Sequence, residues 1–146
     1  VVKIDILVGT TLGNAEYVAD ELAAQLDASG HENQLHMNAK LDDLNPRSLW
    51  LIVSSTHGSG DLPDNLSPFL SEIQTKKPDL TKTNFAICAI GDSNYDTFCE
   101  GPKKLDRVLQ GCGAQVYVDK IEIDVQSDPC PEDPALAWLS QWQDQL

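Results

Sequence analysis

The chain has 146 residues, 41% of them hydrophobic, and 23 acidic against 10 basic side chains give a formal net charge of −13. That length fits one domain, spanning residues 1–146, and the composition is that of a packed protein rather than a disordered one. So acidic a surface repels phosphate backbones, which argues against nucleic acid as a partner class; it would attract a basic protein, or it serves solubility alone, and composition does not separate the two. No apolar run reaches the roughly eighteen residues of a membrane span, so no membrane contact is expected. No basic stretch followed by an apolar one opens the sequence, and a cytoplasmic location is expected.

The first element in chain order is a short apolar run, residues 1–8, which predicts a buried strand ending at Gly9-Thr10-Thr11. Beyond Gly13, the apolar positions Ala15, Val18, Ala19, Leu22, Ala23 and Leu26 recur at helical spacing, and Gly30 supplies a stop. Residues 31–37 are polar enough to suit a strand at a sheet edge. Residues 49–54 form a second buried run. Leu66, Phe69, Leu70 and Ile73 trace a helix face with Pro68 in its first turn and Asp64 as its cap.

Residues 84–90 predict the next buried strand. A helix opened by Pro102 follows, with Leu105, Val108, Leu109 and Cys112 on one side and glycines 111 and 113 at its close. Residues 115–125 carry the last strand, with a break near Lys120 left open. Asp133-Pro134 reads as cap and first position of a final helix whose stripe is Ala135, Trp138, Leu139, Trp142 and Leu146. Strands and helices therefore alternate five times. That pattern argues for an α/β three-layer sandwich, a five-stranded parallel sheet of order 2-1-3-4-5 with helices on both faces.

The four cysteines form no CxxC pair, so they suggest neither a zinc site nor a redox dithiol, and reduced structural thiols are expected.

In such sheets, ligands bind beyond the carboxyl ends of the strands, where strand order reverses. The first strand ends in Gly9-Thr10-Thr11-Leu12-Gly13-Asn14-Ala15. Hydroxyls, a glycine and a helix start offer unpaired N–H groups and the positive end of a helix dipole, as an anion requires. No Lys or Arg occurs between Val8 and Ala28, so neutral donors would hold a phosphate here; the loop is neither a Walker loop nor a GxGxxG turn. By itself, a Thr/Gly turn before a helix is as often mere capping. The third strand ends in Ser54-Ser55-Thr56-His57-Gly58, with Asp61 and Asp64 beyond. The fourth ends in Gly91-Asp92-Ser93-Asn94-Tyr95-Asp96-Thr97-Phe98-Cys99. A flat ring system could be held between His57 and Tyr95 while backbone groups meet its polar edge. Against this stands the plain alternative of an exposed loop histidine and core aromatics.

These three loops resemble the phosphate loop and the two ring-binding loops of the flavodoxin family, and the likeness runs the length of the chain. Within the family the resemblance is to the short bacterial MioC-type proteins, with the YqcA group a near neighbour. It is carried by Ala15-Glu16-Tyr17-Val18-Ala19, Asp64-Asn65-Leu66-Ser67-Pro68-Phe69 and Pro131-Glu132-Asp133-Pro134. The resemblance implies FMN, its phosphate on residues 10–15 and its isoalloxazine between His57 and Tyr95, with Gly58 free to flip a peptide toward the ring. Residues Thr10, Thr11, Leu12, Gly13, Asn14, Ala15, Ser55, Thr56, His57, Gly58, Gly91, Asp92, Ser93, Asn94, Tyr95, Phe98 and Cys99 are the expected cofactor contacts, and Asp124 ends the last strand near them. Leu12 and Ala15 stand where many members carry hydroxyls, and His57 where an aromatic is common.

The function implied is a monomeric electron carrier between a basic-faced flavoprotein reductase and a redox acceptor enzyme, biotin synthase by analogy with MioC. No catalytic residue and no metal are expected. An FMN-dependent quinone or nitro reductase would need a nicotinamide site, and no second phosphate loop or basic cluster is present to form one. A response-regulator receiver would need acidic residues where Gly9-Thr10-Thr11 and Ser54-Ser55-Thr56 stand.

Overall fold

Aliphatic runs without a polar side must be covered on both faces, and the computed structural model, which describes residues 3–11, 13–56, 60–94 and 99–146, covers them so. The elements run β1 (Ile4–Gly9), α1 (Asn14–Ala28), β2 (Asn33–His36), β3 (Leu49–Ser55), α2 (Ser67–Lys76), β4 (Asn84–Gly91), α3 (Glu100–Gly111), β5 (Gln115–Val116), β6 (Ile121–Asp124) and α4 (Glu132–Trp142). Short 3-10 turns occupy Leu41–Asp43 and Gln143–Gln145. All strand pairs are parallel, in the order β2-β1-β3-β4-β5, and β6 also pairs with β4.

The expected fifth strand is thus split between two segments. β5 lies beside the start of β4, at Asn84 and Phe85, and β6 beside its end, from Cys88 to Gly91. The break near Lys120 exists because the intervening residues are drawn off the sheet. The Trp138 indole donates to the Asp119 carbonyl at 3.1 Å, and Lys120 pairs with Asp106 of α3 at 3.3 Å.

Side chains alternate across the strands and build one apolar layer on each face. Ile6, Val8, Leu51, Val53, Cys88 and Ile90 pack with α1 and α4, whereas Leu7, Trp50, Ile52, Phe85, Ile87 and Ala89 pack with α2 and α3. Asp5 is the exception in β1. Fully buried, it accepts a contact from His36 on the edge strand β2 at 3.0 Å and the N–H of Asn45 at 3.3 Å.

Three helix starts differ from the sequence expectation. α4 begins at Glu132, with Pro131 at the cap position, so Asp133 and Pro134 lie inside its first turn; proline is tolerated there because that N–H has no partner within the helix. α2 is entered through backbone bonds, Leu66 and Ser67 both donating to the Pro63 carbonyl at 2.9 Å, so Asp64 stays exposed and makes no cap bond. α3 starts two residues before Pro102. Among the described residues, no helix is long and apolar enough to cross a membrane.

Candidate functional site

Parallel register brings the carboxyl ends of four strands to one edge. Gly9 lies beside Ser54, Ser55 beside Ile90, and Gly91 beside Asp124. The loops that leave these positions are the three singled out by sequence, joined by a fourth that follows β6. Leu12, His57, Gly58, Tyr95 and Phe98 of the expected contacts, with Ser59, Asp96 and Thr97, lie outside the described residues.

The first loop is built around Gly13, which stands at the cap position of α1 with φ of 90° and ψ of −6°. Its N–H donates to Thr10 Oγ1 at 2.8 Å, and its carbonyl accepts the first helical bond, from Tyr17 N–H at 3.0 Å. The N–H groups of Asn14, Ala15 and Glu16 open the helix, where no carbonyl of the helix can reach them, and they carry its positive dipole end. A Cβ placed on Gly13 would meet nothing within 4 Å among the described residues, so on their side the loop is open. Asn14 and Thr11 are exposed, while Ala15 is fully buried against the sheet and offers only its backbone. Neutral donors around an open space at a helix N-terminus suit a phosphate-like anion, and no basic side chain is needed. The two residues lacking hydroxyls do not remove that chemistry, because the backbone supplies it.

The loop after β3 is tied to its neighbours through small side chains. The Ser55 hydroxyl reaches the Gly9 carbonyl at 3.4 Å, and Thr56 Oγ1 accepts the Gly101 N–H at 3.2 Å. Gly101 lies so close to the next segment that a Cβ there would sit 2.6 Å from the Asp61 carbonyl oxygen. The start of α3 and the segment after β3 are therefore held as one wall.

The loop after β4 is held by carboxylates. Asp124 accepts the Ser93 N–H at 3.1 Å and the Gln126 N–H at 3.0 Å. Asp92 accepts the Asn94 N–H at 2.9 Å and the Gln126 carboxamide at 3.0 Å. The hydrogen bond from Ser93 holds the Asp124 carboxyl below its ordinary value; burial opposes it, and weaker bonds from the Gln126 backbone and Ser127 add to the lowering. A carboxylate lowered in the fold stabilises it above the unfolded value of about 3.9 and loses that contribution as pH falls through the lower folded value. Asp124→Asn is therefore expected to be less stable than wild type at neutral pH, with the gap closing below about pH 4. Urea midpoints measured from pH 7 to acid check this; a gap independent of pH would mean that the ionised form does not hold the loop.

Cys99, at the start of α3, is fully buried in the layer under α2 and α3, and burial, aided by Glu122, pushes its thiol up to about 12. Burial does the same to Cys88, so neither is a thiolate at neutral pH. Of the acidic residues near these loops, Asp61 pairs with Lys104 at 3.2 Å, and Glu100 lies 3.9 Å from Lys103 and 4.0 Å from Arg107. Asp64 is exposed and Asp92 faces Gln126.

Sequence reasoning places the loops but not the groups that fasten them: Gly101, Gln126 and the side chain of Asn65. One signal was present. A glycine in the first turn of a helix, as Gly101 is, weakens it without a turn to justify it, which marks a close backbone approach.

The comparisons agree with this geometry. A profile of the flavodoxin family matches residues 6–138. Protein MioC of Escherichia coli O157:H7 is 43% identical over 139 residues, covering 95% of each chain. Flavodoxin YqcA of Escherichia coli strain K12 is 37% identical over 142 residues, covering 96% of this chain and 95% of its own. Among solved structures, a cysteine-substituted flavodoxin from Pseudomonas aeruginosa superposes with a TM-score of 0.88 at 33% identity, over 96% of this chain and 95% of that one. Proteins of this kind bind FMN and carry electrons rather than catalyse a reaction of their own. With the sheet order, the helix-start loop and the match over nearly its whole length in agreement, the chain belongs to the flavodoxin family.

Proposed function

We propose that the chain acts as a single FMN-binding domain that carries electrons from a basic-faced flavoprotein reductase to an acceptor enzyme. The observation that carries this reading is the open loop at Gly13, whose neutral donors fit a phosphate monoester, set at the same sheet edge as the two other loops. In this reading the N–H groups of residues 14–16 and the hydroxyls of Thr10 and Thr11 orient the phosphate. The segments after β3 and β4 hold the ring, with His57 and Tyr95 on its faces. Bound FMN supplies the redox chemistry, and the protein supplies binding, orientation and electrostatic tuning. Asp124 and Asp92 keep the Gly91 loop in place and put negative charge beside it. The relation to MioC makes biotin synthase the acceptor to test first.

Titration of the apoprotein with FMN and with FAD, followed by flavin fluorescence, tests the reading. One equivalent of FMN is expected to bind, and more tightly than FAD, because a single mononucleotide phosphate loop is present. Equal or tighter FAD binding would overturn it. Steady NADPH oxidation with a quinone and no added reductase would instead favour an FMN-dependent reductase.

Docking is expected to depend on salt. The net charge of −13 attracts a basic reductase face and raises the association rate. Screening length falls from about 10 Å at 0.1 M salt to about 3 Å at 1 M, so the advantage disappears over that range. Stopped-flow electron transfer from such a reductase slows as salt rises. Asp61→Asn, which leaves Lys104 without its carboxylate, reduces the slope. Rates flat in salt would show that docking is not electrostatic.

A further inference from the structure

We propose that Asn65 is a positioning residue for the phosphate loop, a role that rests on the FMN reading above. Asn65 lies in the turn before α2, fifty-five residues along the chain from Thr10, yet its carboxamide meets the loop directly. Its Oδ1 accepts the Thr10 N–H at 2.9 Å. Its Nδ2 donates to the Val8 carbonyl in β1 and to the Met37 carbonyl just past β2, each at 2.7 Å. One side chain thus ties together the ends of two strands and the first residue of the loop. Both amide hydrogens are used, and two carbonyls against one N–H leave a single orientation for the group.

The constraint passes through Thr10 to Gly13. With its backbone fixed by Asn65, Thr10 holds its hydroxyl where Oγ1 accepts the Gly13 N–H at 2.8 Å. That bond accompanies the positive φ at Gly13, the cap position from which α1 starts with its first N–H groups unpaired within the helix. An acceptor role also leaves the Thr10 hydroxyl proton for an anion. Preorganised donors bind without a reordering cost, so losing the tie lowers phosphate affinity even though Asn65 need not touch the phosphate. A side chain without both an acceptor and two donors breaks part of this tie. Leucine has no polar groups, and aspartate cannot donate to the two carbonyls.

The test compares FMN with riboflavin, which lacks the phosphate, in titrations of the wild-type apoprotein, Asn65→Ala and Asn65→Asp. The wild type is expected to prefer FMN. In Asn65→Ala, FMN affinity should fall about tenfold or more, as expected when charge-assisted hydrogen bonds lose their geometry, while riboflavin affinity changes far less. Asn65→Asp keeps the shape and covers the case in which the alanine variant does not fold. Its loss of FMN preference should persist at 1 M salt, where direct charge repulsion is screened. A lower apoprotein melting temperature alone would follow from any structural role, so the FMN-to-riboflavin ratio decides. An unchanged ratio in a folded variant, or a loss in Asn65→Asp that salt restores, overturns the proposal. A wild type without FMN preference overturns the phosphate-loop reading itself, an outcome distinct from the first.

Discussion

Gly13→Val is expected to weaken FMN binding about tenfold to a hundredfold while leaving riboflavin binding close to wild type. The φ of 90° at Gly13 is a conformation that costs an L-residue about 1–2 kcal/mol, and a β-branched one more. No described residue lies within 4 Å of a Cβ there, so the effect is not overpacking against them. Two consequences remain. Relief of the strain rotates the two peptides that flank Gly13, one carrying the N–H that bonds to Thr10 and the other the carbonyl that begins α1. The new side chain also fills the open space assigned to the phosphate. Gly13→Asn separates them, since asparagine tolerates a positive φ but still has a side chain. Recovery in Gly13→Asn identifies strain as the cause, and a continued defect identifies filled space. Unchanged FMN affinity in Gly13→Val would place the phosphate elsewhere.

Gly101→Val is expected to act on both flavins and on the fold. Its Cβ would lie 2.6 Å from the Asp61 carbonyl oxygen and 3.0 Å from the carbonyl carbon, which are backbone atoms that cannot swing aside. Overpacking of this kind costs about 1–3 kcal/mol. In a chain of this size each 1 kcal/mol lowers Tm by roughly 2–4 °C, so a fall of about 2–12 °C is expected. The strain also separates α3 from the segment after β3, and with it the Gly101 N–H from Thr56 Oγ1. FMN and riboflavin should weaken together, because the wall assigned to the ring moves while the Gly13 loop does not. Thermal melting of the apoprotein and the two titrations measure this. A wild-type Tm with wild-type affinities would show that residues 60–62 are free to shift and do not shape the site.

The layered α/β architecture and the positions of the three loops were legible along the chain. Runs such as Leu49 to Val53 have no polar side, the helix stripes repeat at helical spacing, and both patterns are local properties of the chain. Helix closure was equally legible, at Gly30 and Gly113, where φ is 83° and 97°. Helix entry was not. Asp64 and Asp133 are sound capping types, but the backbone carbonyl of Pro63 and an earlier start at Glu132 took their places. Capping energies of about 1 kcal/mol yield readily to how the chain arrives from the sheet.

Only the tertiary structure decided how the loops are fastened. Asn65 and Thr10, Gly101 and Thr56, Asp124 and Ser93 are each thirty or more residues apart, and no periodicity links them. The same holds for the split of the last strand, which depends on Trp138 drawing Asp119 away from β4. The physical reason is one of range. Secondary structure follows from side-chain size and spacing along a few residues, whereas the polar ties of a site form only after parallel register has brought distant strand ends to one edge.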